Sequence, residues 1–382
     1  MEDIEKQNDE QKEMLFSKQD FDAYKKDLEA QFQAKEDEMT INLNERMPKT
    51  SKKIGKTSGV ESAVTSPDYI EGNLFKKQEE EKENEKNLKK MKNIGELEKL
   101  IDYKYNENGE LINKKTGKKC GMLNKQEYDL VGMYVQKYVE NLIITKFDLN
   151  ILYVPNKDNN YEKRDETIAQ CKILTTKDFL TNPKCLILIQ GTGVVRLGQW
   201  ARSVCINENL NLGTMIPYVD KAIKKNYSVI IFNPNERKDF KTEEKIEEFN
   251  TMEKHSVYVY NNIIKKNNNI KEIYIVAHSM GGECTVDILL NNKDDLIKRK
   301  IKKIAFTDSV HGEDYLKLGK VGIEIFREIS RNYICSDKPA GTFIRDYTTS
   351  YGGVDCYSSG HCKHEYTSGT AIDEIFKYFN KN

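Results

Sequence analysis

Lys271-Glu-Ile-Tyr-Ile-Val-Ala-His-Ser-Met-Gly-Gly-Glu-Cys-Thr-Val-Asp-Ile-Leu-Leu290 is the stretch on which the reading of this chain turns. Ile273 to Ala277 is a short apolar run with β-branched residues, the pattern of a central strand in a parallel sheet. Beyond the break, Cys284, Ile288 and Leu289 recur at helical spacing. Between strand and helix lies Ala277-His278-Ser279-Met280-Gly281, a variant of G-x-S-x-G with Ala in the first small position. A nucleophilic serine must stand clear at a strand tip, and its neighbours two before and two after must be small because the turn brings strand and helix together. The helix N-terminus and the backbone N–H of Met280 then face an oxygen on which negative charge develops. Gly281 is expected to refuse any side chain, and Gly282, one residue further into the helix, to be more tolerant. The plainer alternative is a structural serine at a tight strand–helix junction.

The chain's 382 residues suffice for one large α/β domain with extensions, or for two ordinary domains. Charged residues make up 32% of it and its mean hydropathy is -0.72, too polar for one compact globule throughout. Much of that polarity lies at the N-terminus. Basic and acidic residues balance at 61 each, so there is no global pull towards nucleic acid or an anionic membrane. The 8 cysteines are scattered without a dense framework, no apolar segment follows Met1-Glu-Asp-Ile-Glu-Lys6, and no run approaches a membrane span. The expectation is a protein of the nucleus or cytoplasm with reduced thiols, no signal peptide and no transmembrane segment.

Residues 1–96 read as a charged N-terminal extension, helical or disordered, with a Ser/Gly/Pro linker near 47–68. Residues 97–382 read as the folded domain. Tyr103 to Ile112 carries an Asn-Gly turn between short apolar pieces, a hairpin signal. Tyr128 to Leu142 has helical periodicity, and Leu149 to Val154 is a strand ended by Pro155. Strands at 185–189, 227–232, 273–277 and 301–306 then alternate with helices at 214–225, from about 243 to 265, and after Ser279. Such alternation calls for a mostly parallel sheet covered on both faces, an α/β three-layer sandwich. Segments at 333–335 and near Cys356 add edge strands, and 373–379 is a closing amphipathic helix.

In open α/β sheets, sites gather at the carboxyl ends of the strands. Gln190-Gly191-Thr192-Gly193 follows the first central strand, where the N–H groups of Thr192 and Gly193 suit the second half of an oxyanion hole. The same glycines also begin like a dinucleotide loop, but Arg196 fills the third glycine's place. Asp308, in Thr307-Asp-Ser-Val-His311, sits where a strand tip can orient an imidazole; it is also a residue type favoured in turns and caps. Asp337 is the reserve acid. With the order Ser, Asp, His, the base is His364, with His361 and His311 as rivals. Cys356, His361, Cys362 and His364 also allow a metal-cluster reading, at a spacing cramped for paired ligands; the expectation is no metal and no cofactor. His278, Arg196, Trp200 and Arg202 lie beside these segments as substrate or anion contacts, or as structural pairs under a loop.

Several of these segments together resemble one family, the Argonaute-binding-protein-two (Arb-two) domain, and within it the cotranscriptional regulators named "family with sequence similarity 172". The matching stretches include Tyr103 to Leu111, Gln190-Gly-Thr-Gly-Val-Val-Arg-Leu-Gly-Gln-Trp-Ala-Arg202, Gly213-Thr-Met-Ile-Pro-Tyr218 and Phe232-Asn-Pro-Asn235. His255 to Tyr260, Val276 to Gly282, Ala305 to His311 and His364-Glu-Tyr-Thr-Ser368 complete the series in order, from about residue 97 to 380. The chain departs from the family pattern at Gln190, where His commonly stands, and at Tyr333-Ile334-Cys335, which replaces a Trp-Val-Ser-like stretch. The resemblance implies an α/β-hydrolase fold with Ser279 at the nucleophile position. It also implies links to Argonaute proteins, small-RNA silencing, heterochromatin and splicing. Two functions stand as expectations. One is a serine hydrolase of an ester, thioester or amide, with Ser279, His364 and Asp308 as triad and Met280, Thr192 and Gly193 as oxyanion hole. The other is a non-catalytic scaffold binding Argonaute, chromatin or splicing proteins.

Overall fold

The computed structural model describes residues 94–345 and 352–381. The expectation for an N-terminal extension falls on residues outside these, apart from its last three. A short helix α1 (Ile94–Leu100) and a two-stranded hairpin, β1 (Tyr103–Tyr105) and β2 (Leu111–Asn113), precede a long helix α2 (Lys125–Phe147). Asn124 caps α2: its side chain accepts from the Glu127 N–H while Glu127 reaches back to the Asn124 N–H. That reciprocal pair satisfies two donors the helix cannot satisfy itself.

The centre of the molecule is an eight-stranded sheet. In chain order its strands are β3 (Asn150–Val154), β4 (Cys171–Thr175), β5 (Lys184–Ile189), β6 (Ser228–Ile231), β7 (Glu272–His278), β8 (Ile301–Thr307), β9 (Ser330–Ile334) and β10 (Asp355–Ser358). Across the sheet they lie β3-β4-β6-β5-β7-β8-β9-β10. All neighbours from β6 to β10 run parallel, and β4 is antiparallel to both β3 and β6. A sheet of this order, with its second strand reversed and its sharp serine turn after the fifth, has the α/β-hydrolase architecture.

Alternation along the strands divides the core in two. Cys185, Ile187 and Ile189 of β5 and Ile273, Ile275 and Ala277 of β7 enter one apolar cluster. Their alternates Leu186, Leu188, Tyr274 and Val276 enter the other. The first face is covered by α6 (Met252–Val259), α7 (Gly281–Asn291), α8 (Lys293–Ile297) and α9 (Gly319–Ile329). The second is covered by the end of α2, by α5 (Ile216–Lys224) and by α10 (Thr367–Phe379). Two short helices, α3 (Arg202–Asn207) and α4 (Leu210–Gly213), pack with α1, the hairpin and α2 in a satellite cluster. Each fully buried Ile, Leu or Val on these faces is worth roughly 1.5–3 kcal/mol against exposure, so both faces of the sheet must stay covered.

The helix expected from about 243 begins instead at Met252. Glu243 has φ 63 and Lys238 bridges Lys245, so the chain there is a tight turn; the Thr251 hydroxyl then accepts from the Lys254 N–H and starts the helix. Strand β4 and helix α9 were not evident in the sequence pattern. No helix among the described residues is long and apolar enough to cross a membrane.

Candidate active site

Ser279 follows the last residue of β7 with φ 52, a left-handed conformation that costs a non-glycine residue on the order of 1 kcal/mol. Three backbone bonds hold it there: its N–H donates to Thr307 O (3.2 Å), and its carbonyl accepts from the N–H groups of Gly282 and Val310 (both 3.0 Å). Helix α7 starts two residues later at Gly281. A Cβ on Gly281 would stand 2.8 Å from Ile189 O, and one on Gly282 would overlap the Ser309 hydroxyl and stand 2.7 Å from Val310 O. Gly281 refuses a side chain as expected, and the greater tolerance expected at Gly282 is not found, since a backbone oxygen stands equally close there. The loop after β8 crosses behind α7 and closes on Gly282, a long-range contact that the local strand–turn–helix pattern does not contain.

The segment after β5 lies against this turn. A Cβ on Gly191 would stand 2.8 Å from Ser279 Cβ. The loop is held by Asn235, whose side-chain amide donates to Gly191 O (2.8 Å), and by Arg196, whose guanidinium donates to Gly193 O (3.2 Å) and Val195 O (3.0 Å). The N–H groups of Met280, Thr192 and Gly193 make no hydrogen bond among the described residues. The segment does not enter a helix, since the next one begins only at Arg202. A dinucleotide loop needs a helix N-terminus directly after its glycines, and that geometry is missing here.

Asp308 lies one residue past β8, also in a left-handed conformation (φ 45), with its N–H donating to Tyr333 O (2.9 Å). His364 enters from a 3-10 turn directly before α10. Asp308 Oδ2 and His364 Nδ1 are 2.7 Å apart. Burial alone would raise the Asp308 pKa, but the bonds from His364 and Cys335 outweigh it and hold the carboxyl below its usual range. The carboxylate is ionised and can only accept, so the proton sits on His364 Nδ1. The reserve acid Asp337 is exposed, and no bond joins it to a histidine among the described residues.

The remaining histidines separate by environment. His278 is buried; its Nδ1–H donates to Thr307 O (2.9 Å), and its ring packs on that of His364 at 4.6 Å between centroids. Burial first, and then the neighbouring His364, depress its pKa to about 3, so it is a neutral spacer. His361 stacks on Tyr366 and accepts from the Lys363 N–H, while His311 packs on Phe306 with Nδ1 3.2 Å from Ser309 Oγ. The ligand atoms of Cys356, His361, Cys362 and His364 do not converge; among the described residues the group that does is Asp308, Cys335 and His364.

Of the flanking polar residues, Trp200 is buried with its ring edge-on to Tyr218 (5.3 Å) and His278 (6.5 Å). Arg202 is turned to α2, over the Tyr128 ring (4.8 Å) and 3.8 Å from Asp129. Arg196 pairs with Glu236 (3.6 Å) beside a cleft of ≈ 30 Å³, room for little more than water. Cys335, one residue past β9, was not singled out for the site in the sequence, though its thiol touches Asp308. Its signal was register alone: it lies two residues past Tyr333, the partner of the last residue of β8.

Comparison with known proteins adds a lineage. "Cotranscriptional regulator ARB2A homolog" of Dictyostelium discoideum is 33% identical, covering 77% of this chain and 80% of that protein. "Cotranscriptional regulator ARB2A" of Homo sapiens is 29% identical, covering 74% and 79%. Among solved structures, "A histone deacetylase from Saccharomyces cerevisiae" aligns at 10% identity with a TM-score of 0.39, covering 65% of this chain and 96% of that one. Residues 84–340 match the Arb2 domain, which takes in the serine turn, the loop after β5 and Asp308, and on that match the chain belongs to the Arb2 domain family.

Proposed function

We propose that the chain is a serine hydrolase of acyl compounds (an ester, thioester or amide). The observation that carries this reading is the 2.7 Å contact between Asp308 and His364, whose ring packs on that of His278, the residue before a serine held at φ 52. In the reaction Ser279 Oγ attacks the carbonyl carbon while His364 Nε2 takes its proton. Asp308 keeps the other ring nitrogen protonated and stabilises the imidazolium. The N–H groups of Met280, Thr192 and Gly193 receive the oxyanion. His364 returns its proton to the leaving group, and water, activated by the same imidazole, releases the acid from Ser279. The neutral ring of His278 supports that of His364 without competing for the proton. A fluorophosphonate probe on the full chain tests this: the expected result is one labelled site, lost in Ser279→Ala. A folded wild-type chain that stays unlabelled ends the hydrolase reading.

A second reading is favoured by the names of the relatives, which are cotranscriptional regulators. In it the hydrolase fold is a scaffold that acts in the nucleus on transcription or chromatin partners, with Argonaute proteins as the finer expectation from the family. Affinity capture from nuclear extract, with Ser279→Ala beside the wild type, separates the readings. Equal recovery of Argonaute or splicing proteins by both, together with a silent probe, supports the scaffold.

A further inference from the structure

Asp308 has a neighbour that a three-residue relay does not require. The Cys335 N–H donates to Asp308 Oδ1 (3.2 Å), and the Cys335 thiol donates to Oδ2 (2.8 Å). Oδ2 is also the oxygen that accepts from His364 Nδ1. One carboxylate oxygen therefore carries two donors, and both oxygens are tied to one residue. Register explains the placement: Thr307 pairs with Tyr333, and the left-handed turn at Asp308 faces the residue two positions beyond that pair.

Burial, and next the charge of Asp308, push the Cys335 thiol far above its usual range, so the sulfur keeps its proton. A thiol in that state is a weak nucleophile and a weak metal ligand. Oxygen, sulfur and nitrogen in this cluster lie within 4.8 Å of one another. Their closest separations, 2.7 and 2.8 Å, fit shared protons. Ligands around a tetrahedral zinc would stand roughly 3.3 Å apart or more.

We propose that Cys335 is a positioning residue of the site. Its N–H and S–H fix the plane of the Asp308 carboxylate towards His364, and the S–H draws negative charge from Oδ2, weakening that oxygen as the acceptor for the imidazole. The inference rests on the Asp308–His364 pair being the relay of the proposed hydrolase. Its test does not require Ser279 to react, so the two fail separately.

A histidine N–H bonded to a carboxylate gives a strongly deshielded proton resonance, readable on the full chain in water and assigned by its loss in His364→Gln. Cys335→Ala is expected to move this line further downfield, because Oδ2 loses a competing donor. Cys335→Ser restores a donor and is expected to leave it in place. A second readout is alkylation of each cysteine, followed by mass spectrometry, which decides where exchange broadens the line or a variant fails to fold. Asp308→Asn should speed alkylation of Cys335 by about tenfold through its lowered pKa, with exposed Cys362 unchanged. The proposal is overturned if Cys335→Ala leaves the line unmoved, if Cys335→Ser moves it as far, or if Asp308→Asn does not make Cys335 more reactive.

Discussion

The two halves of the candidate site are built differently. The serine half is one unbroken stretch, Glu272 to Asn291, in which strand, turn and helix follow one another. The acid–base half converges from three segments, with Asp308 separated by 27 residues from Cys335 and by 56 from His364. A local motif can dictate its own backbone. A convergent pair depends on the sheet registering several strands first, and on α10 docking against the second face. The serine half should accordingly break through local steric faults, and the acid–base half through loss of chemistry with the fold intact.

The largest expected effect sharpens that contrast. Asp308→Asn and His364→Gln should each lower the rate of fluorophosphonate labelling by about 10³–10⁴-fold while the thermal melt stays close to wild type. Labelling kinetics and a melt on the same samples check it, and a cooperative loss of fold would mean the pair is structural.

Next come the glycines. Helix propensity alone would favour Gly→Ala by roughly 1 kcal/mol, but backbone oxygens stand in the way at both positions. Gly282→Ala should cost about 3 kcal/mol or more and Gly281→Ala about 2 kcal/mol, read as melting-temperature losses in that order. An Ala at Gly282 that stabilises the chain would mean the loop after Ser309 does not close on α7.

Buried histidines give a smaller, pH-dependent term. Burial depresses His255 and His278 to about 3 from an ordinary value near 6.5. Between those values the unfolded chain binds more protons, so their contribution to stability is complete above pH 6.5 and falls as pH drops towards 3. Each adds a slope of up to about 1.4 kcal/mol per pH unit within that window. His255 accepts from the Asn233 N–H through Nε2 (3.2 Å), so His255→Gln should lower stability at pH 7 yet flatten its decline towards acid. Urea titrations from pH 7 to pH 4 read both. The smallest effect belongs to Arg202→Met, expected to cost about 1 kcal/mol or less with labelling unchanged; a lost label would place Arg202 in the site after all.

Local and convergent organisation also account for what could be read in the sequence. Strand β7, the turn and α7 were legible because apolar alternation, a small–Ser–small spacing and helical recurrence all coincide there. Asp308 and His364 were legible only as candidates among rivals, since no pattern near His361 or Asp337 distinguishes them; contact with the opposite partner does. Strand β4 hides because four of the five residues in Cys171-Lys-Ile-Leu-Thr175 are buried, so little polar alternation marks it. Helix α9 hides because Gly319 and Gly322 weaken its propensity, although Ile325, Phe326 and Ile329 anchor it to the core. Cys335 was invisible as a site residue because a thiol gains its role only from the carboxylate across the sheet.

The place of His364, just ahead of α10, has a consequence for the making of the protein. Synthesis runs from the N-terminus, so the serine turn is translated long before the residue proposed to activate it. A ribosome-bound chain that has already folded β7 and α7 carries a serine without its base. Under the proposed chemistry, such a chain is inert towards acyl compounds until His364 has emerged and α10 has settled on the sheet. Reactivity would then report that α10 has docked, and any transcript cut short before that helix would yield a silent chain.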